Sequence, residues 1–134
     1  MMYQNMHSSS GKKLSPSKEE YLKAIFLLSE KEHAVRSIDL AAYLGVSKPS
    51  VNNAIMILQK KGLVVKPLGG EICLTDEGRK QGKRITAKYQ LLKQFLAVCC
   101  KVNEETASKD ACKIEHFISD EAIVALEKYC SEIE

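Results

Sequence analysis

Apolar residues recur at helical spacing along most of the chain. Tyr21, Leu22, Ile25 and Leu28 form one such stripe. Ser15-Pro16-Ser17 stands ahead of it as a start signal, and Glu19 and Glu20 suit the positive end of the helix dipole. This predicts a first helix running to about Glu32. Ser37 is the predicted cap of a second helix, Ile38 to Leu44, with Leu40, Ala41 and Leu44 inward and Gly45 closing it in a left-handed turn. Ser47 caps a third helix with Pro49 in its first turn, the stripe Val51, Ile55, Leu58, and an end near Lys61-Gly62. Helix, short glycine turn, helix is the helix-turn-helix pattern.

The period then changes. Leu63-Val64-Val65-Lys66-Pro67 and Glu71-Ile72-Cys73-Leu74 are two short β-prone runs joined through Gly69-Gly70, which predicts a hairpin. Three helices followed by a two-stranded hairpin define a winged helix. Thr75 opens a long helix, basic early (Arg79, Lys80, Lys83, Arg84, Lys88) and apolar later (Leu91, Leu92, Phe95, Leu96, Val98), reaching about Cys100. Asn103 and Ser119-Asp120-Glu121 cap two more helices. The predicted fold is mainly α: an N-terminal winged helix-turn-helix unit joined by a long helix to a helical C-terminal unit. The predicted division is a disordered arm over 1–14, a winged helix over 15–75 and a helical domain over 76–134.

Charge sharpens this division. Residues 1–102 hold 17 Lys/Arg and 8 Asp/Glu, whereas residues 103–134 hold 3 and 9, so a front of +9 precedes a back of −6. A basic winged helix points to a polyanion, and the acidic back to another task. No apolar run approaches membrane-span length and the first 13 residues lack a signal-peptide core, so the expected location is cytoplasmic with no membrane partner. Five cysteines without paired spacing (Cys73, Cys99, Cys100, Cys112 and Cys130) do not suggest a disulfide framework.

One stretch of the acidic back carries chemistry. In Cys112-Lys113-Ile114-Glu115-His116, helical spacing sets thiol, carboxylate and imidazole on one face. These are donors that first-row transition metals prefer, and Glu20 is a candidate fourth ligand. The competing reading is a Cys buried as a small hydrophobe beside a solvated Glu and His. No second constellation with a general base accompanies the stretch, which argues against a metalloenzyme.

Several motifs together resemble the diphtheria-toxin-repressor family of iron- and manganese-dependent transcriptional repressors. They are Ser17-Lys18-Glu19-Glu20-Tyr21-Leu22, Val46-Ser47-Lys48-Pro49-Ser50-Val51, Leu74-Thr75-Asp76-Glu77-Gly78 and the run from Ala111 to Glu121. The likeness covers about residues 15–130 and is closest to the short two-lobe manganese regulators, without the SH3-like domain of longer members. It implies a divalent-metal-dependent repressor that is not an enzyme and binds operator DNA as a homodimer. It implies metal ligands at Glu20, Cys112, Glu115 and His116. Cys112 matches the iron branch, and the manganese branch has a carboxylate there. Lys23 stands where that branch has a second carboxylate, and Tyr89 where the family has a histidine of an additional site. The cofactor expected is Fe2+ or Mn2+, with Co2+, Ni2+ and Zn2+ also suited to the donors.

On the third helix, Ser47, Lys48 and Ser50 suit phosphates, Asn52 and Asn53 can read adenine, and Pro49 can touch a thymine methyl. Lys66 near the wing, with Arg79, Lys80 and Lys83, can add phosphate contacts. A symmetric dimer on a palindromic site would double this reading. The apolar helices after Leu91 are the expected dimer seam, with Cys99 and Cys100 in core or seam. The alternative function is a metal-independent, redox- or ligand-sensing winged-helix transcription factor.

Overall fold

A computed structural model describes residues 14–31, 34–67 and 69–133, the side chain of the last excepted. The predicted N-terminal arm therefore lies outside the described residues, apart from Leu14. The chain divides after Lys83 into two compact units.

The first unit holds α1 (Pro16–Lys31), α2 (Ser37–Leu44), α3 (Lys48–Lys60), and strands β1 (Val64–Val65) and β2 (Cys73–Leu74). Leu22, Ile25, Leu40, Val51, Leu58 and Val64 are the largest of its fully buried side chains. Each lies at a position that the apolar periodicity selects or in the first β-prone run. The strands pair antiparallel, Val64 with Leu74 and Val65 with Cys73.

Two local signals act as written. Ser47 Oγ accepts from Ser50 N–H at 3.2 Å, and Gly45 ends α2 at φ 67°, a region that glycine enters without a Cβ clash. One start differs from expectation. Arg36, not Ser37, is the cap residue of α2, at φ −107° and ψ 159°. The cause is long-range. Val35 bridges to Ile72 of the wing, and the Ile72 N–H donates to the Val35 carbonyl at 2.7 Å. That bridge holds the chain extended through Arg36, so the helix begins at Ser37. Asp39 Oδ2 then accepts from Arg36 N–H at 3.1 Å.

The hairpin hands over to α4 (Asp76–Gln94) through Thr75. Its hydroxyl donates to the Gly62 carbonyl at 2.7 Å and accepts from Gly78 N–H at 3.0 Å. One side chain thus fixes the end of α3 and the start of α4. Gly78 and Gly82 face inward. A Cβ on Gly78 would run into the Leu63 carbonyl, and one on Gly82 would stand 2.8 Å from Phe26 Cβ.

The second unit contains the later part of α4, a π-helical turn Phe95–Cys99, α5 (Glu104–Ile114) and α6 (Asp120–Ile133). Its core is Leu92, Ala111 and Ile123, with Tyr89, Leu91, Ile118, Val124 and Leu126 packed around it. Asn103 Oδ1 accepts from Glu105 and Thr106 N–H groups, and Ser119 Oγ from Ala122 N–H at 3.1 Å, so both predicted caps form. Arg84 joins Asp120 at 2.9 Å, tying α4 to the start of α6. None of the five cysteines forms a disulfide, and Cys99 is half-buried and Cys100 exposed. Among the described residues no helix is long and apolar enough to cross a membrane.

Candidate metal centre and nucleic-acid interface

The C-terminal unit places a carboxylate and an imidazole in near-complete burial. Glu115 Oε2 lies 3.5 Å from His116 Nε2, with side chains 0% and 5% exposed. An ionised carboxylate removed from water is costly unless a cation or hydrogen-bond donors compensate it. Carboxylate oxygen beside imidazole nitrogen is a donor set that fits a divalent transition ion. The backbone explains why these two residues meet. Helix α5 ends at Ile114, with Glu115 as its cap and its N–H still donating to the Ala111 carbonyl. The chain then turns through His116 and Phe117, whose N–H groups reach the carbonyls of Lys113 and Ile114.

The single helix face expected for Cys112, Glu115 and His116 is thus interrupted before its third member. Cys112 is half-buried one turn earlier on α5. Among the described residues, no trio containing its Sγ has all its ligand atoms within 4.8 Å of one another. Its engagement requires a rotamer change or an ion that draws the donors in.

Glu20 sits on α1 in the N-terminal unit, its side chain 33% exposed, with Lys23 Nζ 3.6 Å from its Oε1. Lys23 is itself buried. A lysine ammonium beside this carboxylate already neutralises part of its charge. Tyr89 is no free donor either. Its hydroxyl lies 2.6 Å from Ser108 Oγ and joins α4 to α5.

The α3 surface divides cleanly. Val51, Ala54, Ile55 and Leu58 are buried, while Lys48, Pro49, Ser50, Asn52, Asn53, Met56, Gln59 and Lys60 are exposed. The outward face therefore holds both asparagines that sequence reading assigned to base edges. Ser47 and Ser50 are bonded to each other at 2.9 Å, so their hydroxyls shape the helix start as well as being available to a phosphate. Lys66 is half-buried beside the wing; Lys80 and Lys83 are exposed on α4. Arg79 makes a surface ion pair with Glu30 at 3.5 Å. The exposed positions missed by sequence reading are Met56, Gln59 and Lys60. The signal for them was present, since Met56 and Lys60 continue the i+3/i+4 row that starts at Pro49 and Asn53.

A winged helix with a polar recognition face, followed in the chain by a helical unit with a buried carboxylate–imidazole pair, is the anatomy of a metal-regulated DNA-binding protein. Residues 13–67 match the family model of the iron-dependent repressor N-terminal DNA-binding domain. Residues 75–134 match that of the iron-dependent repressor metal-binding and dimerisation domain. The chain belongs to the iron-dependent repressor family, whose members are DNA-binding transcriptional regulators and not enzymes. An uncharacterised HTH-type transcriptional regulator of Methanocaldococcus jannaschii is 36% identical over 115 residues, covering 84% of this chain and 91% of its own. The HTH-type transcriptional regulator MntR of Geobacillus kaustophilus is 36% identical over 109 residues, covering 81% and 77%. The solved structure of the manganese regulator SloR superposes with a TM-score of 0.77 at 28% identity, over 88% of this chain. This chain spans 55% of the length of that structure.

Proposed function

We propose that this protein is a cytoplasmic repressor that binds a palindromic operator as a homodimer when loaded with a divalent metal. The proposed ligands are Glu20, Cys112, Glu115 and His116, with Fe2+ or Mn2+ as the physiological ion. The reading is carried by the buried Glu115–His116 pair, which lies in the region similar to a metal-binding and dimerisation domain. Cys112 as a ligand tilts the affinity toward Fe2+, Co2+, Ni2+ or Zn2+ over Mn2+, because softer donors suit the later metals. The proposed division of labour is DNA binding by residues 15–75 and metal binding and dimerisation by 76–134.

Recognition would use α3 in the major groove. Asn52 and Asn53 offer amide pairs to adenine, Pro49 offers an apolar contact, and Ser47, Lys48, Ser50 and Lys66 address phosphates. Glu20 belongs to the DNA-binding unit and the other three ligands to the C-terminal unit, so ion binding would couple metal loading to operator binding. The ion can shift the population only by its differential affinity for the competent arrangement.

The deciding experiment measures operator affinity of the full chain with Mn2+, Fe2+, Zn2+ and excess chelator, and separately after a thiol-blocking reagent with the chelator still present. Loss of binding on chelation supports the reading. Binding that ignores the chelator but is lost on thiol blocking would favour the metal-independent regulator instead.

A further inference from the structure

The recognition helix carries a large apolar side chain where water alone would favour a polar one. Met56 is 50% exposed. It does not lie at the margin of the buried stripe. Val51, Ala54, Ile55 and Leu58 are buried on one side of α3, and at 100° per residue Met56 falls close to the centre of the opposite side. There it lines up with Pro49, Asn53 and Lys60, at spacings of four, seven and eleven residues from Pro49. This ridge is the part of α3 farthest from its own core. Lys48 and Lys60 are exposed near its two ends, a charge arrangement that complements a phosphate backbone on either side of a groove.

Within the major groove the base edges present donors, acceptors and one apolar feature, the thymine 5-methyl. A methionine is flexible and polarisable enough to lie against such a methyl without demanding one geometry. Resting on the DNA-binding reading above, we infer that Met56 is a specificity-determining residue that selects thymine at one operator position through its 5-methyl group. Met56 stands about 10 Å along the helix axis from Pro49, too far for both side chains to rest on one thymine methyl. It therefore addresses a different base pair from Pro49 and extends the apolar readout along each half-site.

The test uses the full chain with Mn2+ and duplexes selected from a random pool. In the selected duplex each thymine is replaced singly by deoxyuridine, which removes only the methyl. The wild-type chain should lose about fourfold in affinity at the Met56 position, the value of one methyl-sized burial. Met56→Ala should bind the thymine and uracil duplexes equally at that position, retaining any loss at the Pro49 position. Met56→Leu, which keeps apolar bulk, should preserve the discrimination. Thermal unfolding of Met56→Ala matching wild type establishes that the fold is retained. A uracil profile in Met56→Ala identical to that of wild type overturns the inference and leaves the DNA reading standing. A wild-type chain that enriches no duplex overturns the DNA reading and this inference together.

Discussion

At the scale of single residues, two side chains limit how many ions the protein can hold. Lys23, 3.6 Å from Glu20, cannot ligate while charged, and the Tyr89 hydroxyl is engaged with Ser108. The expected stoichiometry is one tightly bound ion per subunit, read by elemental analysis of the dialysed protein, and two equally tight ions would contradict it. Cys112→Ala and His116→Ala should each abolish metal-activated operator binding while leaving the circular dichroism spectrum unchanged. On α3 the exposed Asn53 and Lys48 separate two kinds of contact. Asn53→Ala should cost about 1–3 kcal/mol on the preferred sequence and blunt discrimination, whereas Lys48→Ala should weaken all duplexes alike and lower the salt slope by about 1. Competition binding at two salt concentrations distinguishes them, and equal losses on all sequences for Asn53→Ala would remove it from the base-reading set.

At the scale of elements, close approaches decide what can be changed. Gly78 packs against the Leu63 carbonyl at the junction of the wing and α4. Alanine is the better helix former by about 1 kcal/mol, so Gly78→Ala would stabilise an isolated helix. Here the added Cβ meets backbone, which cannot turn away as a flexible side chain can. Overpacking of this kind costs about 1–3 kcal/mol, so the expected net effect is a lower denaturant midpoint, and a raised midpoint would show that the junction yields freely. The Tyr89–Ser108 bond between α4 and α5 is the second such tie. Tyr89→Phe keeps the ring on the Leu92–Ala111–Ile123 core and removes only the hydrogen bond, a loss of about 1 kcal/mol. Urea titration would measure it, with no loss expected if solvent replaces the tyrosine hydroxyl at no cost.

At the scale of the whole molecule, the prediction is assembly. The C-terminal unit leaves Phe117 78%, Val98 58% and Tyr129 50% exposed, on a region similar to a dimerisation domain. Light scattering of the full chain should give twice the 14.9 kDa subunit mass across micromolar concentrations; a single-subunit mass throughout that range contradicts it. What the sequence determined by itself is what local interactions encode. Helix periods, the caps at Ser47, Asn103 and Ser119, the Gly45 stop and the β-prone runs of the wing act within a few residues of one another. Their order was enough to specify a winged helix followed by a helical unit. The tertiary structure decided what depends on distant partners. The Val35–Ile72 bridge moved the start of α2 to Ser37. Packing, not composition, buried Glu115 with His116 and buried Lys23, whose pairing with Glu20 is itself the local three-residue spacing of α1. The turn after Ile114 interrupted a face that spacing alone had made continuous. Burial and long-range pairing depend on residues far apart in the chain, and periodicity carries no record of which of them meet.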